Sequence, residues 1–423
     1  LYFPEHHGAY FYIRTNAGDA IDFKIVRAPV ASPDREHWED WLPYRPGIYL
    51  SSFVPFANRI ARLERENALP RIVISDYAGD ESYEIEFAEQ AYALELDDGY
   101  EFDTDMLRFG YESPSTPTQI FDFDMRTRER TLRKTQEIPS GHDSSLYTVE
   151  RLFVTADDGA EIPVTVLRLK STRVDGSAPL LLYGYGSYGI TIPAGFDTTS
   201  LPLVDRGVIF AIAHIRGGAA KGRQWYLDGK LDQKPNTFKD FARVAEDLQA
   251  RGYGSPRRTV IAGRSAGGML VGATVNLRPE LFGGVIAGVP FVDVLNTMSD
   301  EELPLTPPEW VEWGDPIRDP AAFATIAGYS PYDNIRSDVS YPPILATGGL
   351  ADYRVTYWEP AKWIARLREA ARGGPFLLKM NMEAGHAGSA ARFERLEERA
   401  HEYAFALQVF GLTEREPVSH IAR

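Results

Sequence analysis

Thr259-Val260-Ile261-Ala262-Gly263-Arg264-Ser265-Ala266-Gly267 is the stretch on which the fold turns. A short apolar, β-branched run enters a Gly-x-Ser-x-Gly turn, and an apolar segment of helical character, 266–277, leaves it. Strand, glycine-flanked serine and helix in that order is the context of a nucleophile elbow. The glycines allow a tight, strained turn that lifts the hydroxyl above a sheet. The helix beginning there aims backbone N–H groups at any developing oxyanion. Ser265 is the candidate nucleophile. A glycine-rich turn with an incidental serine is the bland alternative.

A serine needs a base. The chain has 8 histidines. His6, His7, His37 and His142 lie far upstream, His401 sits among Glu397, Glu398 and Glu402, and His420 is in the tail. His214 follows a strand and could line a site, but it precedes Ser265. His386 lies in Glu383-Ala384-Gly385-His386-Ala387-Gly388, directly after the strand-like 376–382. Loops after sheet strands carry the partners of such a serine, in the chain order serine, acid, histidine. His386 is the candidate base. Asp352, in Gly348-Gly349-Leu350-Ala351-Asp352 after another strand, is the candidate acid that orients it. Asp293 is the rival.

Working outward, residues beyond 150 alternate between strands (162–169, 179–184, 208–214, 259–263, 285–290, 343–348, 376–382) and helices (237–251, 266–277, 357–372, 390–410). Phe238, Phe241, Ala245 and Leu248 recur at helical spacing, with Asn236 or Thr237 available as cap. Continuous apolar strands separated by helices predict a mainly parallel, doubly wound sheet covered on both faces. Residues 1–140 have another texture. Short aromatic and β-branched segments (9–15, 21–27, 47–53, 70–77, 82–87, 91–96, 106–113, 119–125) are separated by turns such as Asn16-Ala17-Gly18 and Asp97-Asp98-Gly99. Their grouping at about 40–50 residues suits the four-stranded blades of a β-propeller. About three blades fit, and a propeller closes only with at least about four. We therefore expect an N-terminal part beyond this chain, in the natural protein or as a separate piece. The polar stretch 137–145 reads as a hinge, which divides the chain into 1–140 (propeller blades), 141–150 (hinge) and 151–423 (hydrolase domain).

Composition narrows the chemistry. Among 423 residues there is no cysteine, which removes disulfides, thiol nucleophiles and thiolate metal sites. The net charge of −15 disfavours nucleic acid and anionic membranes. No run reaches the roughly 18 apolar residues of a membrane helix. No metal-ligand pattern stands out, and the expected chemistry needs no metal or cofactor.

These motifs resemble the prolyl oligopeptidase family of serine peptidases, and within it the oligopeptidase B group. The resemblance rests on the Ser265 elbow and on Leu182-Tyr183-Gly184-Tyr185-Gly186-Ser187-Tyr188-Gly189, His214-Ile215-Arg216-Gly217-Gly218, Gly222-Arg223-Gln224-Trp225-Tyr226, Asn236-Thr237-Phe238, Val289-Pro290-Phe291-Val292-Asp293-Val294 and Tyr357-Trp358-Glu359-Pro360-Ala361-Lys362-Trp363. It covers about 150–410, and more weakly the β-rich part. It implies an α/β-hydrolase domain capped by a propeller, of which only some blades are present here. It also implies an N-terminal segment of the same protein completing the hydrolase domain. An oxyanion hole would come from the Tyr185 hydroxyl and the Ala266 N–H. The substrates would be short peptides cut after Arg or Lys, and the setting cytoplasmic. Glu309, in Glu309-Trp310-Val311-Glu312, matches the first carboxylate that would hold the basic side chain, while Val311 stands where a second is expected. Acids for a basic residue one position upstream would fall at Pro193 and Gly195. The loop Gly217-Gly218-Ala219-Ala220-Lys221-Gly222 lacks the family's Gly-Glu. Arg354 matches a position that holds a substrate carbonyl. Prolyl or broad peptide cleavage, small-ester hydrolysis, and a binding module with an inert hydrolase part remain as alternatives.

Overall fold

The computed structural model describes residues 1–97, 99 and 101–413. Asp98 of the expected turn, His420 and the rest of 414–423 lie outside the described residues. The chain forms two compact units. The first is Leu1–Ser145 with Pro193–Phe196 and Ala219–Trp225; the second is the remainder from Leu146 onward.

The first unit is three four-stranded antiparallel meanders. They comprise Tyr2–His7, Tyr10–Thr15, Lys24–Pro29 and Glu39–Leu42; then Ile48–Pro55, Arg59–Glu66, Leu69–Asp76 and Ser82–Glu84; then Ala93–Leu96, Met106–Glu112, Gln119–Asp124 and Arg130–Thr135. Apolar faces join neighbouring sheets. Tyr12, Phe23 and Ile25 pack with Leu50, Phe53 and Ile60, and Ile72 and Ile74 pack with Leu107, Phe109 and Phe123. These are propeller blades. Four strands had too little apolar patterning to stand out in the sequence. Arg59–Glu66 is central in its sheet, yet it buries Arg62 and Glu64. It can do so because Glu64 is shared among Arg45, Arg62 and Arg71, and buried charges are tolerated when paired. Arg130–Thr135 is exposed along its whole length.

The second unit holds an eight-stranded sheet. Its strands are β1 (Tyr147–Thr155), β2 (Glu161–Leu169), β3 (Leu180–Tyr183), β4 (Ile209–Ala213), β5 (Thr259–Arg264), β6 (Gly284–Gly288), β7 (Ile344–Gly349) and β8 (Phe376–Asn381). They run β1-β2-β4-β3-β5-β6-β7-β8 across the sheet. β2 pairs antiparallel with β1 and β4, and every pairing from β4 to β8 is parallel. This is the α/β-hydrolase sheet. The helices that bear on the site are α1 (Pro235–Ala250), α2 (Ala266–Leu277), α3 (Thr306–Trp313), α4 (Trp358–Ala370) and α5 (Arg392–Phe410). α2 is buried over nearly its full length, as its apolar sequence requires.

Two local expectations need correction. Residues 147–150 are not hinge: Tyr147 pairs with Leu169 and the β1–β2 register continues unbroken to Thr155. Their alternation was masked by Glu150 and Arg151. Nor do Asn236 or Thr237 cap α1. It starts at Pro235, a residue suited to the first helical turn; the Asn236 amide donates to Asp228 O, and the Thr237 hydroxyl to Arg216 O and Gly229 O. No helix among the described residues is long and apolar enough to cross a membrane.

Candidate active site

Ser265 sits between β5 and α2 with φ 58° and ψ −121°. A non-glycine residue rarely adopts this backbone, and holding it costs about 1–3 kcal/mol. The neighbours over-determine it. Its N–H donates to Gly288 O on β6 (2.8 Å), and its carbonyl accepts from Phe291 N (3.1 Å) and Gly268 N (2.8 Å). A side chain at Gly263 would collide with the Gly267 backbone, and one at Gly268 with Pro290. The glycines therefore serve close packing of strand, turn and helix, as well as the turn itself.

The loops after β7 and β8 hold the other two residues. Parallel neighbours place the carboxyl ends of β5 to β8 on one edge of the sheet. Leu350 N donates to Asn381 O (2.8 Å) and Ala351 N to Ala384 O (3.1 Å), which lashes the Asp352 loop to the His386 loop. His386 lies inside a tight turn closed by Gly388 N to Gly385 O (3.1 Å). Its Nδ1 is 2.7 Å from Asp352 Oδ2. The other Asp352 oxygen accepts from Arg354 N (2.9 Å) and Val355 N (3.0 Å). The Asp352 side chain has no exposed surface, whereas that of His386 keeps 19%. A fully satisfied buried carboxylate fixes the Nδ1–H tautomer and leaves Nε2 as acceptor. Arg264, next to the serine, donates to His386 O (3.2 Å). Asp293 is occupied elsewhere, by Lys362 and by Asn296 Nδ2 (2.6 Å). Asp352, not Asp293, is the acid brought to the histidine.

Tyr185 follows β3, and its phenol lies close enough to Ser265 to feel the serine side chain. Burial chiefly, then Tyr183, Glu309 and Glu312, push its pKa up to about 12, with the Ser265 contact pulling the other way. A phenol so placed remains protonated and able to donate. Ala266, the first residue of α2, is buried beside the serine.

Glu309 lies on α3, half-buried. Its Oε2 accepts from the Tyr188 hydroxyl (2.7 Å) and from Trp313 Nε1 (2.9 Å). Val311 points to solvent and is 72% exposed. Glu312, one helical turn from Glu309, was not singled out from the sequence. It is buried, and accepts from Tyr188 N (2.8 Å) and the Tyr226 hydroxyl (2.5 Å). The signal that could have found it is the i, i+3 spacing on one helix face. Arg354 is exposed. Its guanidinium pKa is raised first by its neighbour Tyr353, and it also feels Asp352 and Tyr185. His214 is buried against Thr165 Oγ1 (2.8 Å), and His401 is exposed, bonded to Glu397 O (2.8 Å). Pro193 and Gly195 fall in the first unit, where Glu112 fills the space a side chain at 195 would need.

Residues 194–413 match the sequence model of the prolyl oligopeptidase family, and residues 2–136 that of the prolyl oligopeptidase N-terminal β-propeller domain. Dipeptidyl aminopeptidase BI of Pseudoxanthomonas mexicana is 42% identical over 416 residues, covering 98% of this chain and 57% of that protein. Protease 2 of Moraxella lacunata is 39% identical over 420 residues, covering 99% and 60%. The structure of oligopeptidase B from Leishmania major superposes with a TM-score of 0.90 at 37% identity, covering 98% of this chain and 59% of that one. The chain thus spans about three-fifths of the length of these relatives.

Proposed function

The chain belongs to the prolyl oligopeptidase family, and from that premise we propose that it is the catalytic part of a serine peptidase that cuts short peptides after Arg or Lys. The observation that carries the catalytic half of this reading is the buried Asp352 carboxylate 2.7 Å from His386 Nδ1, on the sheet edge that also presents Ser265.

In the proposed mechanism His386 Nε2 takes the proton from Ser265 Oγ as the oxygen attacks the scissile carbonyl carbon. Asp352 stabilises the imidazolium without taking its proton. Negative charge collects on the carbonyl oxygen, where the Tyr185 hydroxyl and the Ala266 N–H donate. His386 then gives the proton to the leaving nitrogen, the C–N bond breaks, and an acyl-Ser265 ester remains. Water attacks that ester and loses its proton to His386. The C–O bond to Ser265 breaks, and the proton returns to the serine.

Basic specificity is supported by Glu309. Tyr188 and Trp313 orient its carboxylate, and its charge is felt by the Tyr185 phenol beside Ser265. A desolvated carboxylate there would pair with a lysine or arginine side chain. Both bonds go to Oε2, which leaves Oε1 for a substrate cation, and no second acid stands at 311. Arg354 is proposed to bind a substrate carbonyl. The test is kcat/KM on chromogenic peptides ending in Arg, Lys, Pro or Phe. Equal rates on Arg and Phe would overturn the basic preference.

A second reading follows from the 42% identical relative named dipeptidyl aminopeptidase: release of dipeptides from a free N-terminus. Comparing free and N-blocked dipeptide substrates separates the two, since the endopeptidase reading predicts cleavage of both.

A further inference from the structure

Two opposite charges lie buried behind the Tyr185–Tyr188 segment, and the mechanism uses neither. Lys234, just before α1, has no exposed surface, and Glu312 on α3 is 2% exposed. The Lys234 ammonium donates to Gly186 O (2.6 Å), Ser187 Oγ (2.8 Å) and Gly229 O (3.3 Å). It lies 5.1 Å from the centre of the Trp313 ring. Burial pushes its pKa down to about 7, and Glu312 acts in the opposite direction. Glu312 in turn accepts from Tyr188 N and from the Tyr226 hydroxyl, itself an acceptor for Lys230 Nζ (2.9 Å).

Burying two ionisable side chains is a poor source of stability, because well-packed apolar side chains commonly do as well or better. What the two do hold is an awkward backbone. Gly186 has φ 73° and Tyr188 φ 59°, two left-handed residues within three. The Tyr188 conformation is costly for a residue with a Cβ. Lys234 seizes the carbonyl of Gly186 and the hydroxyl of Ser187, and Glu312 seizes the N–H of Tyr188. With the backbone so fixed, the Tyr188 hydroxyl reaches Glu309 Oε2, and Tyr185, at the start of the same segment, lies beside Ser265.

We infer that Lys234 and Glu312 are positioning residues: together they lock 186–188 and thereby set Tyr188 against Glu309 and Tyr185 against Ser265. Their consequence for selectivity rests on the basic specificity proposed above; their effect on the segment does not.

The experiment compares the purified natural protein with its Glu312→Gln, Lys234→Met and Tyr188→Phe variants. Active sites are titrated with a fluorophosphonate. Amide exchange is followed over 184–190, and kcat/KM is measured for Arg- and Phe-ending peptides. Loss of a charge-assisted hydrogen bond predicts exchange over 184–190 faster by about tenfold or more in both brace variants. The Arg-over-Phe ratio per titrated site falls by a similar factor, mainly through KM, as it does in Tyr188→Phe. Unchanged exchange with an unchanged ratio per titrated site, whatever the yield of active protein, overturns the inference. If Lys234→Met does not fold, the near-isosteric Glu312→Gln decides alone. If the natural protein itself shows no Arg preference, the specificity reading fails, and exchange over 184–190 still decides the brace.

Discussion

Asp352 holds His386 with one carboxylate oxygen, at 2.7 Å, while the other caps the amides of Arg354 and Val355 at the turn after β7. The acid is thereby anchored to its own loop and cannot follow the histidine if the imidazole rotates. Orientation of His386, the proposed base, is built into the backbone.

Asp352→Asn tests that orientation. An amide can still accept from Arg354 N and Val355 N, but its NH2 then faces Nδ1 and selects the wrong tautomer. We expect kcat to fall by about 10⁴ with little change in KM. A loss under tenfold would show that Asp352 does not set the tautomer.

Tyr185→Phe removes the phenol proposed as an oxyanion donor. Steady-state kinetics should show kcat reduced by about 10²–10³ with KM nearly unchanged. Because Tyr185 titrates only at about 12, no alkaline loss of activity below about pH 10 should be traceable to it. Such a loss, present in the natural protein and absent in the phenylalanine variant, would contradict the assignment.

Glu309→Gln should lower kcat/KM for Arg- and Lys-ending peptides by about 10²-fold, as expected for leaving a basic side chain without its charge partner. Phe-ending peptides should be spared. An equal loss on all substrates would make Glu309 a structural residue.

Glu359, fully buried at the start of α4, predicts a pH dependence of stability. Its Oε2 accepts from Val292 N (2.7 Å) and Asp293 N (3.0 Å), and its Oε1 from the Thr297 hydroxyl (2.7 Å). Burial nevertheless raises its pKa from 4.5 to about 7. Between those values the folded protein keeps a proton that the unfolded chain has released. Stability from this group is therefore present below pH 4.5 and lost as pH rises to about 7. At ~1.4 kcal/mol per pH unit the difference is worth roughly 3 kcal/mol. Gln can accept the two backbone N–H groups on its amide oxygen and, with the third bond reversed, donate its NH2 to the Thr297 hydroxyl, all without charge. Denaturant unfolding of Glu359→Gln should show a flatter pH profile across that window and higher stability at pH 8; a profile parallel to the natural protein's would refute the assignment.

How much of this was legible in the sequence follows from what each residue does. The elbow was, because strand, serine and helix are contiguous and each leaves a local signature. Asp352 and His386 were legible through position after a strand and chain order, although only the structure separates Asp352 from Asp293, by showing Lys362 and Asn296 on the latter. The propeller strand 59–66 was hidden because its buried face carries Arg62 and Glu64, charges that pair with each other and with Arg45 and Arg71 on the neighbouring chain segments. Lys234 and Glu312 were invisible for the same reason. A buried charge is recognised by the partners it meets in space, and Gly186, Ser187 and Tyr188 lie more than 40 residues from either.

The central claim, that Ser265 is a nucleophile activated through His386, is tested most directly by mass spectrometry after fluorophosphonate treatment of the active natural protein. The account predicts one adduct per chain, in the peptide containing Ser265, formed in parallel with loss of peptidase activity and absent in His386→Ala. Full peptidase activity with no adduct on Ser265, or with the adduct on another residue, would contradict it.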